Sequence, residues 1–545
     1  MTSPTDVPPA STPPASAPPD PRRWWALGAL VAAMLVLGFD STILNVALPT
    51  MAAQLDAGTG LQQWIADAYT VVFAALMLPA GLLGDRFGRR RMLICGLGIF
   101  LAGSLLGTLV DSVQLVIAAR AVMGIGAALI MPLAMSVLPS LFGPDERSTA
   151  VGAISAASAL GLPLGPLVGG WLLDHFWWGS VFFVNVPLAL IGVAACVFLL
   201  PETSDPSSPK VDALSVGLTG TGLGALVFGI IEGPARGWSD PLVMTALAAS
   251  AALITGLVLR GRGWARPMLD LGLLRHRGFL WNTVAAALGT LVLSGLMFIL
   301  PPYLQAVLGH DAFGTGLRML PMMAGLMIAA KGSGALATRI GPRPVVTGGL
   351  IVLACAAFLG STTDVHDGYG ATALWLSIAG VGFGFAMVPA MDAALGALPR
   401  DRAGSGSGLL MTVRQFGGAL GVALLGSLLA GAYGDRIDTG GLPARAADAA
   451  GDSVVAAHLV ADRIGAPQLA ALADRAYLHG MGLVLLVCGI AALVAAMLTA
   501  TFLPNPRAGR GDARGRGRRP GRRAAPGHRP GTDTAVVTGT PDARQ

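Results

Sequence analysis

Polar positions along this chain are sparse and bunched, and between them apolar runs recur from residue 24 to residue 503. The runs occupy about 24–48, 61–83, 92–110, 114–138, 148–171, 180–200, 212–232, 241–260, 279–301, 314–337, 344–361, 371–395, 404–431 and 479–503. Each is close to the roughly 20 residues a helix needs to cross ~30 Å of hydrocarbon. They are continuous and far longer than the ~10-residue alternating strands of a membrane barrel, so helices are expected, each satisfying its own backbone in lipid. The pattern predicts an all-α membrane protein with about fourteen transmembrane helices.

The flanks read differently. Residues 1–21 are rich in Pro, Ser and Ala and residues 505–545 in Arg, and both are expected to be disordered and cytoplasmic. Arg22 and Arg23 precede the first run, which is about twice the usual length of a signal-peptide core, contains Asp40 and lacks a convincing cleavage site. It reads as a retained span. Segment 433–478 is the one long connection between runs.

Arginine sets the orientation. With a cytoplasmic N-terminus, Arg86, Arg89, Arg90, Arg91, Arg147, Arg260, Arg262, Arg266, Arg275, Arg277, Arg339, Arg343, Arg400 and Arg402 all fall in inner loops. The short outer connections hold Asp56, Asp111, Asp174, Asp311, Asp364 and Asp367, with Arg236 as their cation, and the long segment 433–478 is less constrained by the rule. An even number of spans then leaves both termini inside and 433–478 outside, in a cell (plasma) membrane.

Composition agrees. The chain is 54% hydrophobic and 12% charged with a mean hydropathy of +0.67, whereas a soluble domain carries about 25% charged residues. The net charge of +6 does not mark a nucleic-acid partner: residues 507–545 alone hold ten Arg against three Asp, a net of +7, leaving about −1 for everything before them. Cys95, Cys196, Cys355 and Cys488 sit singly in apolar runs and read as small core residues. No metal-ligand spacing, phosphate loop or clustered nucleophile and base is present, so neither an enzyme nor a cofactor is expected. Lipid is the partner that composition itself implies.

Four strings sharpen this. The second span ends GLLGDRFGRRR (Gly81 to Arg91), with an echo after the tenth, GALATRIGPRP (Gly334 to Pro344), in which Thr338 replaces the acid. The fifth span carries GLPLGPLVGG (Gly161 to Gly170), whose Pro and Gly content suits kinks and close packing in lipid. The first span ends GFDSTILNVALP (Gly38 to Pro49), and the fourth opens RAVMGIGAALIMP from Arg120. With FFVNVP (Phe182–Pro187), LPPYLQAVLG (Leu300–Gly309) and RQFGGALG (Arg414–Gly421), the chain from Arg22 to Pro504 resembles the major facilitator superfamily, in its fourteen-span drug:proton antiporter branch.

That resemblance implies a six-helix bundle over 22–200, two extra linking helices over 201–266 and a second six-helix bundle over 267–504. It implies export of small organic molecules (drugs, antibiotics or a self-made metabolite) in exchange for protons, with import on the same fold or a non-transporting receptor as alternatives. A carrier without an ATPase domain must draw on an ion gradient, so the partners expected of it are lipid, protons and an amphipathic or cationic small molecule, bound by a monomer. It assigns Gly81, Asp85, Arg86, Gly88 and Arg89 to a conformational charge latch. It assigns Gly161, Pro163, Gly165, Pro166, Gly169 and Gly170 to an antiporter motif.

An ionisable side chain in hydrocarbon costs at least ~2.5–3.5 kcal/mol, so each needs a reason. Asp40, Asp67 and Arg120 lie at similar depth in the N-terminal half, and two acids with one Arg could hold one exchangeable proton or a cation. Asp40 and Arg120 also fall on the resembling motifs; Asp67 rests on depth alone, with snorkelling to the outer surface as its alternative. Glu232, Asp392 and Arg414 are secondary candidates, Glu232 suiting an interface and Arg414 a stabilising role. Arg318 and Lys331 have no evident partner in sequence. Trp24, Trp25, Trp177 and Trp178 suit interfacial belts, and Trp64 could wall a cation near Asp67.

Overall fold

A computed structural model describes residues 22–204, 212–262, 271–398, 403–440 and 442–504. The tails 1–21 and 505–545 lie outside the described residues, as do Lys210, Arg266, Arg400 and Arg402. The first half comprises α1 (Arg22–Leu55), α2 (Thr59–Phe87), α3 (Arg89–Leu109), α4 (Val113–Leu141), α5 (Pro144–His175), the short α6 (Ser180–Phe183) and α7 (Asn185–Leu199). Then come α8 (Ala213–Arg236) and α9 (Pro241–Arg262). The second half has α10 (Arg277–Pro302), α11 (Ala312–Ile340), α12 (Pro342–Gly360), α13 (Tyr369–Gly396), α14 (Ala403–Gly434), α15 (Ala444–Asp452), α16 (Val454–Ile464) and α17 (Pro467–Phe502). Among the described residues there is no strand, and 14 helical segments are long and apolar enough to span, α6 and α7 counting as one.

Helix packing gives two bundles. In the first, α1 lies along α5 and α7, and α4 lies between α2 and α3; in the second, α13 lies between α11 and α12, and α14 lies along α10. The helices α8 and α9 form a hairpin whose α8 touches α2 of one bundle and α14 of the other. The bundles themselves meet along two seams, α5 with α11 and α2 with α14.

Two expectations change. Only Cys196 and Cys488 are core residues; Cys95 and Cys355 are exposed on the outer flanks of α3 and α12, where lipid accepts a thiol as readily as the core does. The segment 433–478 is also more than a loop. It holds α15 and α16, and the last spanning helix begins at Pro467, a residue suited to a first helical turn. Thr59 Oγ1 donates to the Asp452 carbonyl (2.7 Å), tying the end of α15 to the first bundle.

Candidate functional site

The end of the molecule carrying Arg86–Arg91 is here the basic end. At the opposite, far end the two halves are in intimate contact. On the α5–α11 seam Gly170 faces the Ala312 carbonyl and Gly316 the Pro166 carbonyl, so closely that a Cβ at either would strike the other half's backbone. Asp174, at the end of α5, accepts from the first amides of α11, Ala312 N at 3.2 Å and Phe313 N at 3.0 Å. A carboxylate at a helix N-terminus meets both free amides and the positive end of the dipole. Pro301 and Pro302 disrupt the end of α10, which runs on as a π-helical turn. This turn carries Gln305, whose Nε2 donates to the Val46 carbonyl of α1 (2.9 Å).

Toward the basic end these ties stop. On the same helices, Gly152 and Ala156 of α5 and Met327 and Lys331 of α11 are exposed. Gly152 lies about four turns from Pro166, Ala156 about four from Gly170 and Met327 about three from Gly316, which places these three on the seam faces. Along the α5–α11 seam the halves therefore part toward the basic end into a cleft, which the α2–α14 seam still closes on its other side, where Leu78 lies against Gly408.

The fifth-span string explains how α1 and α5 come together. Pro166 lacks an N–H, which leaves the Leu162 carbonyl without its helical partner. Thr42 of α1 donates to that carbonyl (3.2 Å). Gly161 lies against the backbone of Gly38 and Phe39, and Gly165 against Thr42 and the Ile43 amide, so the two backbones touch without side chains between them. Gly169 makes room for Ile43. Pro163 kinks the same stretch. Membrane helices associate through such small-residue contacts because lipid gives no hydrophobic drive.

Asp40 and Arg120 do meet. Arg120 Nη1 stands 2.9 Å from Asp40 Oδ2, and the two side chains are 3% and 1% exposed. Asn185 Nδ2 donates to the other carboxylate oxygen (3.0 Å), Arg120 Nε donates to the Ile65 carbonyl (3.3 Å), and the Tyr69 ring lies 4.4 Å from the guanidinium. Gly124, packed on the Tyr69 carbonyl, lets α4 approach α2 closely enough for this reach. Asn185 was present in the FFVNVP string, but nothing in sequence tied it to Asp40.

Asp67 does not join them. It is fully buried, which excludes snorkelling, and neither of its carboxylate oxygens has a hydrogen-bond partner. Helical spacing shows where it points. Gln63, one turn earlier, donates through Nε2 to the Val422 and Ala423 carbonyls of α14 (both 2.9 Å), in room left by Gly426. Trp64 packs on Phe228 of α8 rather than walling a cation, and Val71 clusters with Leu223, Val227 and Ala419. Asp67 thus lies in the α2–α14 seam, with α8 covering its flank. Gln63 Oε1 is likewise buried without a partner.

At the basic end Arg89 binds Asp85 Oδ1 through Nε and Nη2 (both 2.8 Å) and the Ser136 carbonyl of α4 through Nη1 (3.0 Å). Gly84 is pressed on Leu133, Gly81 lies near Pro132, and Gly88 turns at φ 105° against Glu202, a conformation that needs glycine. Arg86 stands apart, exposed over the Phe87 ring. In the echo, Arg343 instead donates to the Ala500 carbonyl of α17. The hairpin has its own clip: Arg260 binds Asp212 at 3.0 Å, and its hydrogen bond, with that of Ser215, holds the Asp212 carboxyl down at about 2.

The secondary candidates scatter. Glu232 pairs with Arg236 (2.7 Å) at the end of α8, Asp392 is exposed on α13, and Arg318 lies 5.3 Å from the Tyr369 ring. Arg414 is half-buried, with Nη1 3.9 Å from Met391 Sδ and Nε without a partner.

Two bundles parting around a one-sided cleft is a carrier's architecture, and the signature of the Major Facilitator Superfamily matches residues 30–422. The chain belongs to that superfamily. It is a multi-pass membrane transporter and not an enzyme. Similar proteins include the tetracenomycin C resistance and export protein of Streptomyces glaucescens, 31% identical over 89% of this chain and 93% of the relative. They also include the puromycin resistance protein of Streptomyces alboniger (34%, over 79% and 86%) and the multidrug efflux pump LfrA of Mycolicibacterium smegmatis (32%, over 84% and 90%). Among solved folds, an inward-facing bacterial homologue of the lysosomal transporter Spinster superposes with a TM-score of 0.65 at 19% identity, covering 89% of this transporter and 98% of that chain.

Proposed function

We propose that this transporter exports amphipathic small organic molecules across the cell membrane in exchange for protons, and that Asp67 carries the exchanged proton. The export sense follows the related resistance and efflux proteins and the α1–α5 contact built by Gly161–Gly170. With the basic end in the cytoplasm and both termini inside, the orientation that the arginine distribution supports, the cleft faces the compartment from which a substrate is loaded. The proton gradient takes the place of any cofactor.

The observation that carries the reading is the contrast between the two N-terminal acids. Asp40 is fully engaged by Arg120 and Asn185. Asp67 has no donor at all and sits between two helices of opposite halves. An ionised carboxylate there would be an uncompensated charge in a dry seam, costing several kcal/mol, whereas the neutral acid fits. Losing the proton therefore favours a conformation in which α2 and α14 part, and that differential is what couples a ligand to a conformational equilibrium. Asp40 and Arg120 then hold α1, α2 and α4 in register rather than exchanging protons.

Proteoliposomes with an imposed pH gradient test this with ethidium as the transported cation. Asp67→Asn should abolish gradient-driven accumulation while ethidium–ethidium exchange continues. Gradient-driven accumulation at the parent rate would overturn the assignment, and uptake in place of efflux would overturn the direction.

A further inference from the structure

Asp67 is sealed from the cleft and from lipid, so its proton needs a route. A cavity of about 650 Å³ lies outside the two-bundle seam, between α8, α14 and α17. Its far-end rim carries Asp435, Arg436 and His479, all exposed, and its walls include Gly233, Gly237 and Gly431, which leave backbone uncovered. Its floor is Ser427. This residue is buried, donates to the Ile230 carbonyl of α8 (2.8 Å) and accepts from Gln63 Nε2 (3.4 Å). Gln63 Oε1 is without a partner, and Gln63 precedes Asp67 by one helical turn, a rise of about 6 Å along α2.

The geometry points to a lateral water vestibule: the cavity between α8, α14 and α17 brings water, and with it protons, from the far side of the membrane to the Ser427–Gln63 contact, and water passing when Gln63 releases Ser427 carries the proton on to Asp67. This rests on Asp67 being the exchanged-proton site. The vestibule is roomy and polar enough to hold water, which needs about one probe sphere of space and two to four polar partners. Beyond Ser427, Gln63 Oε1 and both oxygens of Asp67 are buried acceptors without donors, and a proton arriving on Asp67 supplies a donor there. The inserted hairpin thereby gains a task. Ile230 and Ser427 close the floor, while Val227 and Phe228 keep lipid from the seam. The substrate keeps the cleft and the proton enters by the side.

Gly431 offers a plug, because a Cβ there meets nothing within 4 Å. In proteoliposomes with the far side accessible, Gly431→Trp should slow proton-driven ethidium transport at least tenfold and leave ethidium–ethidium exchange unchanged. In a background with the four native cysteines replaced, Ser427→Cys should be inhibited by silver ions added on the far side alone, and the cysteine-free parent should not. Parent-rate driven transport in Gly431→Trp overturns the route, as does equal loss of exchange or a Ser427→Cys insensitive to silver because lipid fills the cavity. Asp67→Asn run in parallel separates the failures: if it uncouples while Gly431→Trp does not, only the route falls; if it remains coupled, the proton site itself falls.

Discussion

Asp40→Asn and Asp67→Asn are nearly isosteric changes of the same residue type, yet their effects on stability should differ sharply. At Asp40 the substitution leaves Arg120 as a buried guanidinium whose remaining contacts are the Ile65 carbonyl at 3.3 Å and the Tyr69 face at 4.4 Å. Removing one partner of a buried ion pair costs about 3–5 kcal/mol. A desolvated cation–π contact returns at most about 2, and it is already present in the parent. The introduced amide can still accept from Asn185 through its oxygen, so a net loss of about 2–4 kcal/mol is expected. At Asp67 no hydrogen bond and no ion pair exists to lose, and the change should stay within about 1 kcal/mol. Combining Asp40→Asn with Arg120→Gln should recover part of the first loss, because the stranded charge goes with it. Thermal unfolding in detergent, followed by a thiol-reactive dye in a background with the exposed Cys95 and Cys355 replaced by Ala, reads this directly, since Cys196 and Cys488 are buried until the bundles open. Scans at one fixed rate compare the variants, as unfolding here is rate-governed. At about 2 °C per kcal/mol, the scale for the larger soluble domains, Asp40→Asn should fall by on the order of 5 °C and Asp67→Asn should not move measurably. Equal falls, or an Asp40→Asn as stable as the parent, would refute the division of roles between the two acids.

Two further outcomes follow from local geometry. Gly170→Ala presses a methyl into the Ala312 carbonyl across the far-end seam, an overpacking of about 1–3 kcal/mol that should shift the carrier toward the state with the far end parted, read as a longer distance between spin labels at Phe176 and Asp367. Asp212 is held at about 2 in the folded protein, below its unfolded value near 3.9, so its clip to Arg260 contributes stability above about pH 4 that is lost as the pH falls from 4 to 2; hydrogen exchange in α8 and α9 should rise over that window, and Asp212→Asn should abolish the dependence.

The architecture was legible in sequence because lipid makes the code coarse: a span needs only length and apolarity. The Asp85–Arg89 pair was legible for a similar reason, being four residues apart across one turn. Cross-helix geometry was not. Depth counting put Asp40, Asp67 and Arg120 at one level, but depth carries no azimuth, and azimuth decides that Arg120 reaches Asp40 while Asp67 turns to α14. Asn185 completes the first site from 145 residues away, and Gln63 finds its partners 359 residues on. The rotation of α2 does leave a trace in sequence: Gly60, Trp64, Asp67 and Val71 share one helical face, and an acid amid glycine, tryptophan and valine is out of keeping with packing alone.

That face also bears on why the hairpin sits where it does. Without α8, the flank of α2 that holds Trp64 and Val71 would meet lipid, and Asp67 would lose the Val227 and Phe228 side of its enclosure. A carboxylate at a lipid boundary can draw in water or snorkel, and its protonation would then follow the membrane surface rather than the conformation of the seam. Enclosure by α2, α8 and α14 removes that freedom. It makes the charge state of Asp67 depend on whether the two halves are together, and this dependence is what a coupled carrier requires of its proton site. On the proposal that Asp67 carries the exchanged proton, the α8–α9 pair, clipped to itself by Asp212 and Arg260 and seated on one helix of each half, belongs to the coupling machinery and is not a passive linker.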